Sequence, residues 1–191
     1  MINFDSYDWS TGTPVAHQRL ARQASPQQLC AMARTYDWRL FPEDVLGWVM
    51  AQKCIDLGSA LSAFLNGDPE RFNYMPKHHV PDHHRASARV LDNICLRMNS
   101  GFYLSCPGQG VSDDTRLARW LKYQDVDRSE GRRGRWILDE RIVNSLYEEM
   151  ELPDTVALPD NSNKSILHDV LSPIKELGVS REHLKYLPTD S

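Results

Sequence analysis

Apolar residues recur at helical spacing from one end of this chain to the other, and that period decides what it can fold into. The clearest stretch is Leu57, Ala60, Leu61, Phe64 and Leu65, one apolar stripe with Asp56 placed to cap it and Gly67 just beyond its end. Gly58, Ser59, Ser62 and Ala63 flank the stripe with small side chains, so another helix is expected to approach closely. Leu29, Met32, Ala33 and Tyr36 repeat the pattern behind Ser25-Pro26, a cap followed by proline at the first helical position. Pro42 opens a helix with Val45, Leu46 and Val49 on one face. Pro81 begins the longest, to about Asn99, with Val90, Leu91, Ile94, Cys95 and Met98 inward and Gly101 at its end. Ser112-Asp113 starts a helix carrying Leu117, Trp120 and Leu121. Another follows Trp136, marked by Leu138, Ile142, Leu146 and Met150 and closed by Pro153. The expected fold is all-α, a compact irregular helical bundle with at most a short strand near residues 102–105, where Phe102-Tyr103-Leu104 breaks the period.

A length of 191 residues suits a single helical domain, 1–191. Residues 151–163 are polar and contain proline, so they read as a surface connection. Ile166, Leu167, Val170 and Leu171 restore the stripe beyond it, and residues 164–191 are expected to be C-terminal helices packed on the main body. Ser6-Tyr7-Asp8-Trp9 and Thr35-Tyr36-Asp37-Trp38 are near copies, but no third copy follows, and coincidence is the expected reading.

Composition excludes more than it identifies. Apolar residues at 41% and charged residues at 25% argue against wholesale disorder. A net charge of −4 does not suit a general nucleic-acid binder. The N-terminal residues lack a basic leader and an apolar run, and no stretch is long enough to span a bilayer, so a water-soluble cytoplasmic protein with no membrane partner is expected. Cys30, Cys54, Cys95 and Cys106 are widely spaced with no Cys-x-x-Cys pair; they read as reduced thiols.

Two constellations could carry chemistry. Lys77-His78-His79-Val80-Pro81-Asp82-His83-His84 holds four of the seven histidines at a loop-to-helix junction. The helix dipole there favours neutral imidazole, the form that binds a transition metal or accepts a proton. His79 and His83 are the candidate ligands. The pattern is no recognised ligand motif, however, and His83 and His84 continue the inward face through Ser87, Val90 and Leu91, so a hydrogen-bonded cluster under a loop is the preferred reading. Arg128, Arg132, Arg133 and Arg135 surround Gly131 and Gly134, and arginine forks on such a loop can hold phosphate or carboxylate. Asp125, Asp127 and Glu130 partly neutralise them, and Walker spacing is absent. No Gly-x-Ser-x-Gly occurs, and Cys106 has no base near it in sequence. The residues call for no catalytic group and no cofactor.

Tyr36-Asp37-Trp38, then Cys54-Ile55-Asp56-Leu57-Gly58-Ser59-Ala60-Leu61 and Phe64, resemble an uncharacterised bacterial helical domain family. That family has a Tyr-Asn/Asp-Trp segment followed by Cys-Asp-Leu and Ala-Leu. The likeness covers residues 25–104, with one extra residue between Cys54 and Asp56. It implies a helical fold and no reaction; by analogy with small bacterial proteins that accompany toxins, it implies an immunity partner. The leading expectation is therefore a non-catalytic protein–protein interaction protein, in its concrete form a toxin-neutralising immunity protein. The alternative is a metal-dependent enzyme or metal-binding module at His78–His84, and a third is phosphorylated-ligand binding at the arginine loop. Anchors at interfaces are usually aromatic or arginine, so Trp120, Tyr123, Arg128, Arg132, Arg133 and Arg135 are the expected partner-binding residues.

Overall fold

Helix α4, Leu57–Asn66, is the element around which the others assemble in the computed structural model, which describes residues 4–148. Asp56 caps it, its carboxylate accepting from the Ser59 amide at 2.7 Å and from the Ser59 hydroxyl at 2.7 Å. Every residue from Leu57 to Leu65 is buried. A helix apolar on nearly all sides must be enclosed by others, and full burial stabilises each Leu or Phe by about 1.5–3 kcal/mol.

The other helices are α1 (Pro14–Ala21), α2 (Pro26–Thr35), the short α3 (Gly47–Val49), α5 (Asp82–Asn99), α6 (Asp114–Ser129) and α7 (Glu140–Glu148). α2 and α5 pack on α4, and α6 contributes Trp120, whose ring meets Phe64 at 5.4 Å. α2 begins with a full capping box: Ser25 accepts from the Gln28 amide while the Gln28 side chain accepts from the Ser25 amide. α5 turns Val90, Leu91, Ile94, Cys95 and Met98 inward, as its period requires.

Four details depart from the sequence pattern. Pro42–Leu46 is a π-helical turn leading into α3. Pro81 is the residue before α5 and not its first. α7 starts at Glu140, two residues after Leu138. Gly58 makes room for a loop backbone: a Cβ there would collide with the Gln109 and Gly110 carbonyls. Residues 102–105 contribute one parallel bridge, Asp56 with Leu104, and no strand or sheet forms among the described residues. The expected connection at 151–163 and helices at 164–191, with Met150 and Pro153, lie outside the described residues. No described helix is long and apolar enough to cross a membrane.

Candidate functional site

The segment between α6 and α7 is pinned from three sides. Gly131 turns the chain at φ 66°, and the Arg132 amide returns to the Asp127 carbonyl at 2.8 Å. Asn73 then receives the run beyond it, its carbonyl accepting from the Arg135 amide at 2.7 Å and its side chain from the Trp136 amide at 3.1 Å. A Cβ on Gly134 would strike the Asn73 side chain, so this approach requires glycine. The buried Gln124 amide makes a pair of hydrogen bonds with Leu138, accepting from its N–H at 2.7 Å and donating to its carbonyl at 3.2 Å. Asn99 does the same for Ile137 and Asp139.

Against that frame the expected partner residues separate. Trp120 is 1% exposed and belongs to the core, so it cannot be an anchor; helix α6 turns it onto Phe64. Arg135 is also withdrawn: its fork grips Asp92 at 2.9 and 2.8 Å, and its side chain is only 13% exposed. Arg128 lies on the surface, paired with Asp125 and Glu140. Arg132, half-exposed, pairs with Asp127 and Glu130 and lies 5.6 Å above the Tyr74 ring. Arg133 and Tyr123 are exposed.

Tyr74 completes the surface, and the helical pattern does not single it out. It is 50% exposed, yet its hydroxyl donates to both Asp127 oxygens at 2.7 and 2.8 Å. Desolvation and the Asp127 carboxylate hold this phenol above its ordinary pKa, while Arg132 pulls the other way. Tyr74 and Arg132 thus form one exposed aromatic and guanidinium pair held by Asp127, and the exposed Tyr123 lies one helical turn before Asp127 on α6. Tyr74 lies in a turn region after Pro69–Phe72 with no repeating period, far from α6 in sequence.

The histidines do not converge on a metal geometry. His78 and His79 stack edge to face at 4.2 Å and are exposed, as is His83. His83 therefore faces solvent, against the expected inward direction; only His84 turns in, half-buried beside Phe72. A guanidinium can only donate, so His84 Nε2 accepts from Arg71 at 3.4 Å. Desolvation, then His83 and Arg71, lower the pKa of His84. Among the described residues no three His, Cys, Asp or Glu are grouped to hold a metal ion.

One histidine outside that run has the densest surroundings. His17 is fully buried, ringed edge to face by Tyr7, Trp9, Tyr36 and Phe41 at 5.2–5.9 Å. Its Nε2–H donates to the Thr11 carbonyl at 2.6 Å, since a carbonyl only accepts, and Nδ1 accepts from Tyr36 at 2.9 Å. The two Tyr-Asp-Trp echoes thus meet at one imidazole, which tacks the N-terminal segment to α1 and α2. Burial raises the Tyr36 phenol far above its usual range.

Asp92 anchors a second polar centre, accepting from Arg135, Trp136 Nε1 at 2.9 Å and Lys77 at 3.1 Å. Beside it lies an open groove of about 410 Å³ lined by Glu43, Lys77, Arg89 and Asn93. Glu43 and Arg89 pair at 3.3 Å, so the charges in this groove are already matched. No family model matches this chain, and neither a curated protein nor a solved structure is significantly similar to it.

Proposed function

We propose that this chain is a non-catalytic protein–protein interaction protein that docks its partner on the patch formed by Tyr74, Tyr123 and Arg132. One observation carries the reading: Tyr74 is half-exposed while its hydroxyl is fixed by both Asp127 oxygens and its ring lies under Arg132. An aromatic ring presented to solvent in a fixed orientation loses little entropy on being covered, and Tyr and Arg dominate binding hot spots. Val126, 38% exposed, and Tyr123, 47% exposed, extend the apolar area along α6. The occupant that fits is a folded protein with an apolar pocket for the tyrosine rings and polar groups at its rim.

The finer reading is a bacterial immunity protein that neutralises a toxin, acting in the cytoplasm and not on nucleic acid. Its support is the resemblance across residues 25–104, the modest negative charge and four free thiols that suit a reducing compartment. Metal chemistry at His79 and His83 has weaker support, because both rings face solvent while His84 is engaged by Arg71 and Phe72.

The test uses the full chain with its partner. A protein recovered on it as bait is purified, and its Kd is measured for the unchanged chain and for Tyr74→Ala with Tyr123→Ala. A loss of about 1–3 kcal/mol, about 5- to 150-fold in Kd, is expected with the helical spectrum retained. An unchanged Kd removes this patch from the interface, and a chain that binds no protein overturns the interaction reading.

A further inference from the structure

Cys30 and Cys54 are far apart in sequence and meet at the start of α4. Cys30 lies on α2, one turn before Arg34, and its thiol donates to the Cys54 carbonyl at 3.3 Å. Cys54 is exposed on the turn that leads into Asp56; Cys30 is half-buried, and both are free thiols. The Cys30 sulfur is thus already in contact with the Cys54 backbone. A disulfide between them requires the Cys54 side chain to turn toward Cys30 and the two Cα atoms to stand about 4.4–6.8 Å apart.

The turn matters because of what hangs on Asp56. Arg34 donates to Ser59 at 2.9 Å, to the Gly110 carbonyl at 2.9 Å and to Ser112 at 3.3 Å, and it pairs with Asp56 at 3.4 Å. Asp56 in turn holds the Ser59 amide. One guanidinium therefore joins α2, the cap of α4 and the loop at Gly110–Ser112. Desolvation pushes the Cys30 thiol up, the Asp56 amide and Ser59 offsetting part of that, so Cys30 is a poor first nucleophile. Exposure makes Cys54 the sulfur that meets an oxidant first.

We propose that Cys30 and Cys54 form a reversible dithiol–disulfide site, oxidised by small-molecule disulfides, whose closure loosens the Asp56 cap and its hold on Arg34. In the first step the Cys54 thiolate attacks the small disulfide, forming a mixed disulfide and releasing one small thiolate. In the second the Cys30 thiolate attacks the Cys54 sulfur, and the second small thiolate leaves. The protein loses two electrons and two protons, and one small disulfide becomes two thiols. A thiol reductant reverses both steps.

Trypsin places the four cysteines on separate peptides, with Cys30 in residues 23–34 and Cys54 in residues 54–71. The full chain is exposed to oxidised glutathione, quenched with an alkylating reagent and digested without reductant. The expected product joins 23–34 to 54–71, two hydrogens lighter than the sum of the peptides, and reductant removes it. Cys30→Ser should instead keep glutathione on Cys54, and Cys54→Ser should give no cross-link, with circular dichroism confirming that both variants fold. Hydrogen exchange at the Ser59 amide should rise severalfold in the cross-linked chain. A mixed disulfide that persists on Cys54 in the unchanged chain, or a cross-link through Cys106, overturns the pairing. A Cys30–Cys54 cross-link with unchanged Ser59 exchange overturns its coupling to the cap.

Discussion

Helix α4 and the segment from Glu130 to Asp139 both supply buried side chains, but they are held by different means. In α4 the apolar stripe, the cap and the terminating glycine lie within a dozen residues, and burial does most of the holding. The Glu130–Asp139 segment has no period. Its backbone groups are satisfied by Asn73, Asn99 and Gln124, which arrive from three different elements. An element specified locally tolerates changes at a distance, whereas one specified by remote amides depends on each of them.

The sharpest way to break the contrast is to remove bulk from α4. Phe64 is fully buried and touches both Trp120 and Trp136. Phe64→Ala should cost about 3–5 kcal/mol, read as a lower midpoint in urea with the slope unchanged. A loss under about 1 kcal/mol would mean that α4 is not the centre of the core.

Gln124→Leu should cost about 1–3 kcal/mol, less than Phe64→Ala although volume is kept, because both backbone groups of Leu138 lose their partner. Amide exchange at Leu138 should rise before the chain unfolds globally. Equal exchange in variant and parent would show that the segment is held by its buried side chains instead.

The same contrast explains what could be read without coordinates. Asp56, the Leu57–Leu65 stripe, the Ser25 cap and the inward face of α5 are legible because every residue involved is a near neighbour. Trp120 lies on a legible stripe, yet its arginine neighbours suggest a surface role that helix α6 denies it. Tyr74, Asn73 and Gln124 carry no local signal, since their partners lie 14 to 63 positions away. The Tyr-Asp-Trp echo is visible in the sequence, but only the fold brings Tyr7, Trp9 and Tyr36 to His17.

A smaller effect separates cap from core. Asp56→Ala should cost about 0.5–2 kcal/mol for the lost cap, with an additional part from the unpaired Arg34. Its signature should be local, with Ser59 and Ala60 amides exchanging faster while the Phe64 region stays protected. Uniform loss of protection would make the cap part of the global unfolding unit.

The smallest effect, of order 1 kcal/mol or less, concerns charge and should appear only on the side of the segment after α6. Burial alone would raise the Asp92 carboxyl, but Arg135, Lys77 and Trp136 outweigh it and hold the pKa below its ordinary value. A carboxyl depressed in the folded state adds stability above its unfolded pKa of about 4 and loses that stability as pH falls through its lower folded value. The melting temperature of the unchanged chain should therefore drop below about pH 4 partly through Asp92, and Asp92→Asn should lack that component. At pH 7 the variant should be the less stable, because Arg135, 13% exposed, keeps its charge without the carboxylate. The gap between the two should narrow as pH falls. Phe64→Ala should track the parent in parallel over the same range, since no titrating group supports Phe64. A constant gap for Asp92→Asn from pH 7 to pH 3 would show that hydrogen-bond geometry, and not charge, holds Arg135 and Trp136 in place.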